Sequence, residues 1–84
     1  MKREAKKNKN LVDPQISQLA ARIRQLRKEK GYTSYEDFAN DNDLPRAQYG
    51  RYEKGQNLRY TSLVKIAAIF GMTLSEFFSV GFEE

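Results

Sequence analysis

Stop and start signals cut this chain into a series of short helices. Gly31, Gly55 and Gly71 each follow an apolar-periodic stretch, and glycine there favours the left-handed residue that ends a helix. Start signals precede the same stretches. Asp13-Pro14 reads as an N-cap followed by proline at the first helical position. Ser34-Tyr35-Glu36-Asp37 and Thr73-Leu74-Ser75-Glu76 are capping arrangements, each a hydroxyl with an acid three residues on. Pro45 suits the first turn of another helix, and Thr61 or Ser62 would cap the next. The spacing predicts helices from Pro14 to about Lys30, from Tyr35 to about Asn42, over 45–54, over 61–70, and a last short one ending near Ser79. All but the first are short enough to be marginal in water, so each must bury a face against the others. No strand pattern and no internal repeat is present, so the expected fold is all-α with five helices.

The apolar positions agree. Ile16, Leu19, Ala20, Ile23 and Leu26 form a stripe at 3–4 spacing. Arg27 falls inside that stripe, between Ile16 and Ala20, where a charge must be paired or snorkel out. Arg22, Arg24 and Lys28 lie off it and read as solvated charges within reach of a phosphate. Phe38 and Ala39, then Leu63, Ile66, Ala67 and Phe70, then Leu74 and Phe77 are the remaining candidate core residues. Asn40-Asp41-Asn42-Asp43 is turn chemistry, because Asn and Asp tolerate left-handed φ better than other non-glycine residues. Two short helices about this turn, with Leu44 pointing inward, make a helix-turn-helix.

The helix over 45–54 divides into two sides. Tyr49 and Tyr52 share one. Arg46 and Ala47 open the other, and Arg51 follows Ala47 by one turn. Arg can donate two hydrogen bonds to guanine O6 and N7, and Ala can rest on a thymine methyl. Gly50 keeps the flank thin and would let the backbone approach a phosphate. Gln48, Lys54, Asn57 and Arg59 lie in this helix or the polar loop after it and are candidates for sugar-phosphate contacts. The alternative is the solvated face of an ordinary amphipathic helix.

Composition narrows the function. The 84 residues include no cysteine and no histidine. Disulfides, thiolate metal sites and the commonest general base are therefore unavailable, and neither an enzyme nor a cofactor or metal is expected. No apolar run approaches the ~18 residues of a membrane span, and the charged N-terminus lacks the apolar core of a secretory signal. A cytoplasmic binding protein is the expectation, with no small-molecule ligand evident. The net charge of +4 belongs entirely to residues 1–12, because the basic and acidic residues of 13–84 cancel. Residues 1–12 are read as a disordered basic tail, either a DNA-binding arm or a solubilising segment. Residues 13–80 are read as the folded domain and 81–84 as a short C-terminal tail.

Several segments together resemble the phage repressor/Cro-type (XRE-like) helix-turn-helix regulators, whose fold is the five-helix lambda-repressor-like domain. Ile23-Arg24-Gln25-Leu26-Arg27-Lys28-Glu29-Lys30-Gly31 is similar to the family's first-helix ending. Ala39 stands at its small second-helix position, and Arg51-Tyr52-Glu53-Lys54-Gly55 resembles its third-helix ending. Leu63-Val64-Lys65-Ile66-Ala67 and Gly71-Met72-Thr73-Leu74-Ser75-Glu76-Phe77-Phe78 resemble its last two helices. The resemblance covers residues 16–78. It implies base contacts from Arg46, Ala47 and Arg51, and an ion pair between Arg27 and Glu53. It also implies a phosphate contact at the start of the second helix, where Tyr35 would act through its hydroxyl. Two departures carry structural consequences. Asp43 replaces the turn glycine and must accept an unusual φ, and Tyr49 replaces a β-branched core residue and needs an outlet for its hydroxyl.

Two functions remain from the sequence. One is a sequence-specific, double-stranded DNA-binding transcription regulator, dimeric if the apolar segment Phe77-Phe78-Ser79-Val80-Gly81-Phe82 is an interface. That segment otherwise completes the core through Phe77 and Phe82. The other is a protein–protein module on the same fold, an antitoxin or co-regulator.

Overall fold

The computed structural model describes residues 13–82. The basic segment 1–12 and the last two residues of the proposed C-terminal tail lie outside them. Five helices follow one another: α1 Pro14–Glu29, α2 Tyr35–Asp41, α3 Arg46–Glu53, α4 Tyr60–Ile69 and α5 Leu74–Phe77. The described residues form no strand.

Three of the helices open on side-chain caps. The Asp13 carboxylate accepts the Gln15 amide at 2.8 Å, with Pro14 at the first helical position. Ser34 Oγ accepts the amides of Glu36 and Asp37 at 3.2 Å each. Thr73 forms a complete capping box: its hydroxyl accepts the Glu76 amide at 3.1 Å, and its own amide donates to Glu76 Oε1 at 2.9 Å.

The other two starts differ from the sequence reading. Pro45 is the N-cap of α3 rather than its first helical residue, with an extended ψ of 122°. The helix therefore runs over 46–53, with Lys54 as its C-cap, rather than 45–54. α4 begins at Tyr60, so Thr61 and Ser62 lie inside its first turn and cap nothing. The Leu63 amide bonds to the Arg59 carbonyl at 3.0 Å, which starts the helix one residue early. α5 also ends sooner than expected. Ser79 Oγ donates to the Glu76 carbonyl at 2.6 Å and closes the helix as a turn.

The core joins every helix: Leu19, Ile23 and Leu26 from α1, Phe38 and Ala39 from α2, Tyr49 and Tyr52 from α3, Ile66 and Ala67 from α4, and Phe77 from α5. Phe38 is its aromatic centre. Tyr32 meets it edge-on at 5.3 Å, Tyr49 lies at 5.1 Å and Phe70 stacks at 5.2 Å. Contacts of these kinds add to the burial of the rings. Phe82 packs on Phe78 and Phe77, so the packed body extends to the last described residue.

The turn between α2 and α3 is made by Asp43, the one non-glycine residue with positive φ among those described, at 59°. This reversal lets the Leu44 amide reach back to the Ala39 carbonyl at 2.8 Å. Leu44 then packs against the core as the chain enters α3.

Candidate nucleic-acid interface

α3 presents two sides of opposite chemistry. Tyr49, Tyr52 and Glu53 are buried, while Arg46, Ala47, Gln48 and Arg51 are exposed. Lys54, Asn57 and Arg59 continue the exposed surface past the helix end. The exposed guanidiniums of Arg46, Arg51 and Arg59 have no carboxylate partner among the described residues; the ion pair there belongs to Arg27 and Glu53. No side chain caps α3. Its first-turn amides and the positive end of its dipole remain available to an anion.

The buried side is held by a network from α1. Arg27 Nε donates to Glu53 Oε2 at 2.8 Å and Nη2 to Oε1 at 3.0 Å, a two-pronged pair with both residues 5% exposed. Arg27 Nη1 donates to the carbonyls of Tyr32 and Thr33, at 2.9 and 2.8 Å. One guanidinium thus joins α1, the end of α3 and the loop before α2. The Glu53 hydrogen bond holds the Arg27 pKa above its ordinary value, against the opposing pull of burial. Arg24 Nη1 donates to the Glu53 carbonyl and satisfies an acceptor at the helix end.

The hydroxyl of Tyr49 is the unsatisfied member of this region. It is buried beside the pair without a hydrogen-bond partner among the described residues. Burial, then the neighbouring Glu53, push its pKa far above the ordinary tyrosine value. The described residues do not provide the outlet that the sequence called for.

Three sequence readings change here. Gly50 does not leave a gap for a phosphate. It is buried under Tyr35, and a Cβ there would meet Tyr35 Cε1 at 2.7 Å and Cζ at 3.0 Å. Tyr35 is accordingly half-buried, with its ring also tilted against Tyr49 at 6.5 Å. Arg22 is not a solvated charge. It is 5% exposed, and it donates from Nε to the Phe77 carbonyl at 2.7 Å and from Nη2 to the Glu76 carbonyl at 3.2 Å. Its guanidinium also lies 5.7 Å from the Phe77 ring centroid. Arg24 is likewise engaged, whereas Lys28 is exposed. A sequence signal for both arginines existed. Arg22 lies one helical turn before Leu26 and Arg24 one turn after Ala20, so each flanks the apolar stripe.

A helix-turn-helix family profile matches residues 23–77, which contain the end of α1, the whole α2–α3 pair, α4 and α5. The chain belongs to the Cro/repressor-type helix-turn-helix family. Control protein C.MunI from Mycoplasma sp is 46% identical to it over 59 residues, 69% of this chain and 80% of that protein. No solved structure matches the chain significantly. In this helix-turn-helix protein, α2 and α3 are the two helices on either side of the turn. No helix among the described residues is long and apolar enough to cross a membrane.

Proposed function

We propose that the protein is a sequence-specific transcription regulator that binds double-stranded DNA and reads the major groove with α3. The observation that carries this reading is the division of α3. Arg46, Ala47 and Arg51 stand exposed on one side, while the other side is locked to the core. A rigid helix with two free guanidiniums flanking a methyl matches the pattern of base edges in the groove. Arg46, Ala47 and Arg51 would touch bases. Gln48, Lys54, Asn57 and Arg59, with the hydroxyl of Tyr35, would touch the sugar-phosphate backbone. Membership of the helix-turn-helix family and the likeness to a control protein support a regulatory role.

The exposed C-terminal residues support a homodimer. Phe77 is fully buried, but Phe78 and Val80 are 40% and 45% exposed. A dimer joined through them would bind two half-sites about one helical turn apart. The protein would act in the cytoplasm and carry out no reaction of its own. An antitoxin or co-regulator role on the same fold would use these apolar residues for a different partner.

Selection from a random duplex DNA pool tests the reading. A spaced, repeated half-site is expected, with Arg46→Ala and Arg51→Ala each costing about 1–3 kcal/mol and relaxing preference at particular base pairs. Lys54→Ala and Arg59→Ala should weaken all sequences alike and flatten the salt dependence. Weak binding that enriches no sequence and vanishes with salt would refute it. Sedimentation of a monomer at high micromolar concentration, with and without the selected DNA, would remove the dimer.

A further inference from the structure

Gly50 is anomalous within α3. It lies four residues after Arg46 and three after Ala47, both exposed, and three before the buried Glu53, so it stands at the edge of the exposed face. It is buried, whereas Arg46 and Ala47 on its outer side are exposed. The cover comes from α2. The Tyr35 ring occupies the space in which a side chain at position 50 would stand: from the position of a Cβ there, Cε1 is 2.7 Å away, Cζ 3.0 Å and the hydroxyl oxygen 3.2 Å. The ring also leans on the buried Tyr49, with centroids 6.5 Å apart. It remains half-exposed.

We propose that Tyr35 supplies the missing side chain of position 50 on the DNA-reading face and is a specificity-determining residue. This rests on the major-groove reading of α3. The reading surface would then be composite. Arg46, Ala47 and Arg51 come from α3, and an aromatic ring from α2 stands among them. The ring edge offers apolar contact to the base pairs between those facing Arg46 and Arg51. Glycine at position 50 is required because any side chain there would displace the ring.

The test is selection from a random duplex pool with four proteins: wild type, Tyr35→Phe, Tyr35→Ala and Gly50→Ala, each first checked by circular dichroism for helical content. Tyr35→Phe keeps the ring and should enrich the wild-type sequence, with affinity lowered about equally for every duplex. Tyr35→Ala should enrich a different sequence at the base pairs between the arginine contacts. Its discrimination between wild-type and altered sites should fall about tenfold, within the range of a lost base contact. Gly50→Ala should shift preference at the same base pairs by moving the ring. If Gly50→Ala does not fold, Tyr35→Ala decides alone, because it leaves the α3 backbone untouched. A folded Tyr35→Ala that enriches the wild-type sequence with undiminished discrimination would overturn the proposal while leaving the reading of α3 intact. A wild-type protein that enriches nothing would remove both.

Discussion

α1, α2 and α5 are helices that begin by local means, and α3 and α4 are not. Asp13, Ser34 and Thr73 each cap their own helix with a side-chain oxygen, whereas Pro45 and Arg59 offer none. α3 is the weaker of the two uncapped helices. It has eight residues and a glycine in its middle, and each feature disfavours an isolated helix. What keeps it helical lies behind it: Phe38 against Tyr49, and Arg27 and Arg24 on Glu53. The scaffold helices are thus written into their own short segments, and the candidate reading helix is assembled by its neighbours. An alteration in α1 can disorganise the reading face without touching it.

The largest expected effect breaks that support directly. Glu53→Gln leaves the buried Arg27 guanidinium without its anion and should destabilise the fold by about 3–5 kcal/mol. Urea unfolding measures it, and equal stability to wild type would show that the pair does not anchor α3. A smaller loss belongs to the capped helices. Ser34→Ala should cost ~1 kcal/mol, whereas Arg59→Ala, which removes no cap acceptor, should leave stability nearly unchanged. Equal losses from the two variants would erase the distinction between capped and uncapped starts.

Tyr49→Phe sharpens the comparison from the other side, because it removes an unpartnered buried hydroxyl and keeps the ring. The variant should gain about 1 kcal/mol at neutral pH. Alkaline pH should separate the two proteins further. The Tyr49 pKa is raised above its ordinary 10.0 in the folded state, so the neutral phenol favours folding. That contribution is complete below pH 10 and is lost as pH climbs above it. Wild type should therefore lose stability more steeply than Tyr49→Phe above that pH, and parallel pH curves would contradict the burial of the hydroxyl. The smallest effect is expected at the turn. Asp43→Gly relieves a φ of 59° and should stabilise by ~0.5 kcal/mol, offset in part by the flexibility of glycine when unfolded. A clear loss would show that the Asp43 side chain supports the turn.

The local sequence determined where most helices begin and end, because caps, turn residues and apolar periodicity act within a few residues of one another. Asp13-Pro14, Ser34 and Thr73-Glu76 were legible in this way, as was the left-handed demand on Asp43. The division of α3 into Tyr49/Tyr52 and Arg46/Ala47/Arg51 sides was equally visible, because a 3.6-residue period sorts side chains without knowledge of their partners. For Arg27, the sequence showed a charge that needed a partner, and the resemblance to the family pointed to Glu53. Only the tertiary structure decided what covers each face. Arg22 and Arg24 looked solvated until carbonyls at the ends of α5 and α3 were brought within reach. Gly50 looked like an opening until Tyr35, fifteen residues earlier, was laid across it. The reason is physical. A side chain's direction follows from its own backbone, but its burial depends on which distant element occupies that direction, and no local period encodes that.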